Sequence, residues 1–180
     1  RRPIHELTGK LDLAALRHTL AGVVLGAALM LAPAFFLLAV GAVSFTSNAE
    51  GVEALMSMTL IMAAVAVAEE FLFRGFLFQR FIAGLGVWPA QVIIGALFVL
   101  THSDALAGAG ALGYLAGLNI FTASVMFGFA FVRSQGLAMP IALHFAANTM
   151  QGGVLGFGVS GAAEQGWFTP TLNGPDWLTG

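Results

Sequence analysis

Among the polar residues inside the apolar stretches of this chain, Glu69, Glu70, Arg74, His102, His144 and Asn148 stand out. A charge at the bilayer centre costs roughly 2.5–3.5 kcal/mol even on the lenient insertion scale. Such groups face a protein interior, pair with one another or line water, and by default they mark a functional site. Their spacing sorts them. Glu70 and Arg74 are i and i+4 with the acid first, the favourable order for an ion pair along a helix. Glu69 lies about 100° further round the same helix. Glu70 is therefore read as a brace for Arg74, and Glu69 as the free carboxylate. His144 and Asn148 are a second i, i+4 pair on one face. Asn148 can orient His144 or donate to a developing oxyanion. The same residues would also serve as a structural ion network and an interhelical hydrogen-bonding pair.

One free Glu and two His suit the activation of water. Glu69 can act as general base, helped by His102, while His144 and Asn148 stabilise an oxyanion. Alternatively Glu69, His102 and His144 bind a divalent metal such as zinc, whose catalytic sites often use two His, one Glu and a water. The helical zinc motif His-Glu-x-x-His is absent. There is no cysteine, which excludes disulfides, a thiol nucleophile and thiolate zinc sites. There is no Gly-x-Ser-x-Gly elbow either. Gly158-Val159-Ser160-Gly161 superficially resembles the serine motif of rhomboid proteases, but there the partner histidine follows the serine, and here no histidine follows His144. That segment is read as a flexible, glycine-rich helix end.

The elements that position these residues are membrane spans. The 180 residues are 58% hydrophobic and 9% charged, with mean hydropathy +0.89, against about 25% charged residues in soluble domains. A net charge of −2 offers no broad basic surface for nucleic acid. Residues 1–18 mix basic and apolar side chains and read as an interfacial arm. A first span follows over 20–45, with Pro33 and the close-packing pattern Gly22-xxx-Gly26. Residues 46–51 are a polar loop, 53–83 a long apolar run, Gly84-Leu85-Gly86 a break and 87–101 the next run. A small-residue loop at 103–110 leads to a span at 112–132. Ser134-Gln135-Gly136 turns into the last span, 137–159. Tail residues Trp167 and Trp177 suit a membrane interface. The reading is all-α: a polytopic transmembrane helical bundle of about five spans, with arm 1–18, core 19–160 and tail 161–180. The opening Arg1-Arg2-Pro3, in place of Met, reads as a trimmed piece of a longer chain, with room for preceding spans. Alternation puts the arm, Arg80 and Arg133 on one side, the cytoplasm by the positive-inside rule. Glu50, Glu53, Asp104, Glu164 and Asp176 fall on the other.

Helix rise sets depths. Folded at Leu85, Glu69 and His102 each lie about 24–26 Å from the turn. His144 lies only about 12 Å from Gly136. The levels meet if the hairpin projects about 10 Å beyond the neighbouring turn, and Glu69 is then expected within about 10 Å of His144.

Taken together, Glu69-Glu70-x-x-x-Arg74, Phe98-x-x-x-His102 and His144-x-x-x-Asn148 resemble the three motifs of the CPBP family. That family holds the CAAX prenyl proteases of the Ras-converting type and the bacteriocin-processing and immunity (Abi) proteins. The motifs stand in the family's order, each on its own apolar segment, over 69–148. The resemblance implies a multi-pass intramembrane endopeptidase with an all-helical fold and a site open to the cytosol. Glu69 and His102 would hold or activate the water, Glu70 and Arg74 would support them, and His144 and Asn148 would bind metal or stabilise the oxyanion. The family has been described both as metalloproteases and as glutamate proteases. Its substrates are peptides or proteins, lipid-modified in the CAAX case. The chain departs from full-length members in having about five spans where they often have eight. Two other classes compete: a proton-coupled transporter, since Glu and His also build proton relays, and a non-catalytic membrane immunity or partner protein of the same fold. Transporters often show paired halves, and no internal repeat is present here.

Overall fold

The computed structural model describes residues 8–159 and 165–175. Arg1, Arg2, Ser160, Glu164, Asp176 and Trp177, which enter the reading above, lie outside them. Helix α1 (Leu13–Ala39) begins where the Asp12 side chain accepts from the Ala15 N–H at 3.0 Å, a carboxylate N-cap. The expected arm boundary at residue 18 thus falls inside α1. The helix ends at Ala39, Gly41 with φ 74° turns the chain, and a short strand β1 (Val43–Ser47) follows.

Helix α2 (Gly51–Glu70) runs without a break into a π-helical segment (Phe71–Phe78) and then α3 (Gln79–Leu85). Gly86 ends it with φ 85°, a conformation glycine adopts without steric cost, and α4 (Val87–Leu100) returns alongside. Phe73, Phe78, Ala90, Ile94 and Phe98 form the buried core of this hairpin. The expected loop at 103–110 contains a short helix, α5 (Ser103–Gly108), and a 3-10 turn leads on to α6 (Gly113–Ser134). Gln135 reverses the chain with φ 54° into α7 (Ala138–Asn148), which continues as a second π-helical segment (Thr149–Val154).

The helical class is as expected. Among the described residues, three helices are long and apolar enough to cross a membrane: α1, the continuous Gly51–Leu85 and α6. The other two expected spans are shorter, because α4 stops after 14 residues at the Thr101–His102 break and α7 has 11 residues before its π-helical turn. A two-stranded ribbon is an addition. β2 (Phe168–Leu172) pairs antiparallel with β1, Val43 opposite Leu172.

Helix α1 lies directly on α7. A Cβ at Gly22 would stand 2.7 Å from the Met139 carbonyl oxygen, and one at Gly26 would stand 2.9 Å from the Ala147 amide nitrogen. These glycines let two backbones touch, the packing that small residues allow in membranes. The contact runs from Met139 to Ala147 and so brackets His144 on α7. Gly26→Leu is expected to push α7 off its seat, lowering stability by about 1–3 kcal/mol and displacing His144. A thermal melt in detergent reads this; an unchanged melting temperature would contradict the close approach.

Candidate active site

Glu69 and Glu70 occupy the last turn of α2, and the π-helical segment starts at the next residue. Such segments are rare and concentrate at functional sites. A π turn loosens the regular carbonyl pairing, and the Gln79 amide takes up part of it, donating to the Gly75 carbonyl at 2.9 Å and the Arg74 carbonyl at 3.3 Å.

Arg74 is fully buried and so is Glu70; the guanidinium Nη1 donates to Glu70 Oε1 at 3.0 Å. The brace inferred from spacing is present. Its surroundings were not legible. Arg74 Nη2 donates to both the backbone oxygen and the hydroxyl oxygen of Ser124 on α6, each at 2.7 Å. The guanidinium carbon also sits 5.1 Å and 5.2 Å from the ring centres of Phe98 and Phe127, close enough for cation–π attraction. The buried cation is thus surrounded by an acid, a serine and aromatic faces.

Glu70 Oε1 has a second partner, His144 Nδ1 at 3.0 Å. A carboxylate oxygen that accepts from a guanidinium also accepts here, so Nδ1 carries the hydrogen and Nε2 the lone pair of the neutral ring. The Phe127 ring stacks on His144 with centroids 4.6 Å apart and 16° between planes. His144 Nε2 then faces Glu69 Oε2 at 3.9 Å, within the 10 Å expected from depth and beyond direct hydrogen-bond range. The two neighbouring acids differ sharply: the Glu70 side chain is 0% exposed and that of Glu69 29%. From its spacing, Asn148 is expected to orient His144 or to donate to an oxyanion. It lies one turn along α7, half-buried, but the group that orients the ring is Glu70.

His102 stands at the end of α4, where the helix breaks. Its Nδ1 is 2.8 Å from the Phe98 carbonyl oxygen, which also accepts from the Thr101 hydroxyl at 2.8 Å. A carbonyl can only accept, so Nδ1 donates, and in the neutral ring it is Nε2 that carries the lone pair. The Phe98 ring links the two histidines, 4.9 Å from His102 and 6.3 Å from His144 between centroids. The hydrogen bonds of the His102 ring go to Phe98 and Thr101, not to Glu69.

A catalytic zinc needs three protein ligands aimed at one point. Among the described residues, no group of three His, Cys, Asp or Glu side chains is placed to hold a metal. Glu69, His102 and His144 in this arrangement do not fit that ion.

The sequence model of the type II CAAX prenyl endopeptidase Rce1-like family matches residues 51–150, from the start of α2 into the second π-helical segment. All six residues of the polar cluster fall within it. Comparison with curated proteins and with solved structures gives no match. A family match over more than half of the 180 residues, carried in part on helices long and apolar enough to cross a bilayer, makes this chain a member of the Rce1-like type II CAAX prenyl endopeptidases and an integral membrane protein.

Proposed function

We propose that the chain hydrolyses a peptide bond within the membrane by a water held between Glu69 and His144. The observation that carries this is the 3.9 Å gap between a half-open carboxylate and an imidazole Nε2 whose other nitrogen is fixed by a buried acid. A water about 2.8 Å from both atoms would meet them at about 90°, close to its own bond angle, and present a lone pair to the substrate. As that oxygen bonds to the scissile carbonyl carbon, one water proton passes to Glu69. Glu69 returns it to the amide nitrogen as the C–N bond breaks, leaving an amine and a carboxylic acid. Asn148 on the same helix face offers an amide N–H to the carbonyl oxygen as it gains charge. His102, through the Nε2 of its neutral ring, is a further acceptor beside the site.

The substrate class is a peptide or protein C-terminal segment, lipid-modified if the CAAX specificity of the family carries over. Lys10, Arg17, Arg80 and Arg133 gather near the helix ends that also hold the Gly86 and Gly136 turns, which supports a cytoplasmic placement of that side. His144 is about 12 Å in from the Gly136 turn, so the site opens towards it.

The test is cleavage of prenylated and unprenylated C-terminal peptides by the protein in liposomes, with elemental analysis of the same preparation. The expected result is cleavage that persists in chelator, with metal far below stoichiometry. Stoichiometric zinc that is lost in His102→Ala, together with chelator-sensitive cleavage, would replace this mechanism with a metal-dependent one. No cleavage of either peptide by the folded protein would remove the protease reading.

A further inference from the structure

Helix α6 carries none of the motif residues, yet one of its turns touches every element that does. Ser124, 1% exposed, receives Arg74 through two oxygens. The next carbonyl, that of Val125, accepts from the buried Gln91 amide of α4 at 3.2 Å. Gly128 makes room for that amide: a Cβ there would stand 2.8 Å from the Gln91 side-chain carbon. Phe127, between them, stacks on His144 and lies 5.2 Å from the Arg74 guanidinium carbon. Ser124, Phe127 and Gly128 are i, i+3 and i+4, one face of a helix. That face meets the helix of the acid pair, the helix that ends at His102 and the helix of His144.

We propose that the Ser124–Phe127–Gly128 face of α6 is the positioning element of the active site, and that Ser124 and Phe127 are its positioning residues. The proposal rests on the protease reading above for its kinetic arm alone. Ser124 acts through Arg74: its two oxygens hold the guanidinium, the guanidinium holds Glu70 Oε1, and that oxygen holds His144 Nδ1. Phe127 acts on the same ring directly, its stacked face setting the plane in which Nε2 points at Glu69. Neither residue is placed to touch substrate. Loss of either lets the imidazole rotate or slide, and misplacement of a reacting group by about 1 Å can cost 10²-fold in rate.

Two measurements on the full chain test this. Selective ¹⁵N-histidine labelling reads the tautomer and hydrogen bonding of His144, with a His144→Asn sample assigning its signals among the four histidines. Peptide cleavage reads kcat and KM. Ser124→Ala is expected to shift the His144 Nδ1 resonance and to lower kcat by about 10- to 100-fold, with KM within a factor of about two. Phe127→Leu, which keeps the apolar volume but removes the stacked face, is expected to do the same and stands in should Ser124→Ala fail to fold. A folded variant with wild-type His144 resonances overturns the proposal, as does a variant in which KM alone rises. If wild-type protein cleaves nothing, the protease reading fails, while the resonance shift still decides whether this face positions His144.

Discussion

Glu69→Gln is expected to abolish peptide cleavage while leaving the protein folded. The substitution preserves size and removes the ability to take a proton. General-base assistance contributes about 10²- to 10⁴-fold, and the cleavage rate should fall by that much. Stability should barely move. The Glu69 side chain is 29% exposed, and its approach to His144, at 3.9 Å, is too long for a hydrogen bond. Substitutions that disturb no buried contact usually stay within about ±0.5 kcal/mol. Initial rates on peptide substrate and a thermal melt on the same sample check both halves. A Glu69→Gln protein that cuts at close to the wild-type rate would move the base elsewhere, with His102 Nε2 the next group to test. A variant that loses activity only by unfolding would make Glu69 a structural residue, against its exposure.

The difference between the two acids was legible from their order. An acid four residues before an arginine on a helix is a pair, and its neighbour, about 100° round the cylinder, is left over. Depth was legible only in part: counting from Leu85 and Gly136 puts Glu69 about 24 Å and His144 about 12 Å from their turns, and the two meet only if the hairpin projects about 10 Å beyond the neighbouring turn. The partners of those residues were not. Ser124 is 50 residues from Arg74, and His144 is 74 from Glu70. A serine or phenylalanine in an apolar helix carries no periodic signal that separates a positioning role from packing. The i, i+4 spacing of His144 and Asn148 suggested a local orienting bond, but the long-range contact with Glu70 wins, because a buried carboxylate is the stronger acceptor for an imidazole N–H. The ribbon was hidden by continuity. Val43-Ser44-Phe45-Thr46-Ser47 alternates apolar and polar residues as a strand does, yet it adjoins a span and reads as its end. Its partner contains Pro170, which lowers a strand reading but is tolerated where both strands are edges.

Glu70→Gln is expected to cost both stability and activity, and the two losses can be separated. Arg74 and Glu70 are both fully buried, and breaking such a pair from one side costs about 3–5 kcal/mol because a charge is left behind. The substituted amide would still offer an oxygen to Nη1, and Ser124 and the Phe98 and Phe127 faces remain, so the expected loss is near about 3 kcal/mol. For a chain of this size that is roughly 6–12 °C in melting temperature. The pair is not a large net source of stability, however. Among the described residues Glu70 Oε2 and Arg74 Nε have no hydrogen-bond partner although buried, and incompletely satisfied buried ion pairs are often matched or bettered by apolar residues of similar volume. Glu70→Leu combined with Arg74→Met should therefore recover most of the melting temperature lost in Glu70→Gln. Cleavage should not return with it, because His144 Nδ1 would have lost its acceptor and Nε2 its fixed direction towards Glu69. A double variant as active as wild type would mean that the hold of Glu70 on His144 is dispensable, and the buried acid would then be a packing feature of the fold. A double variant that melts as low as Glu70→Gln would instead make the ion pair itself the source of the stability, and the unpaired Oε2 and Nε would be its tolerated cost.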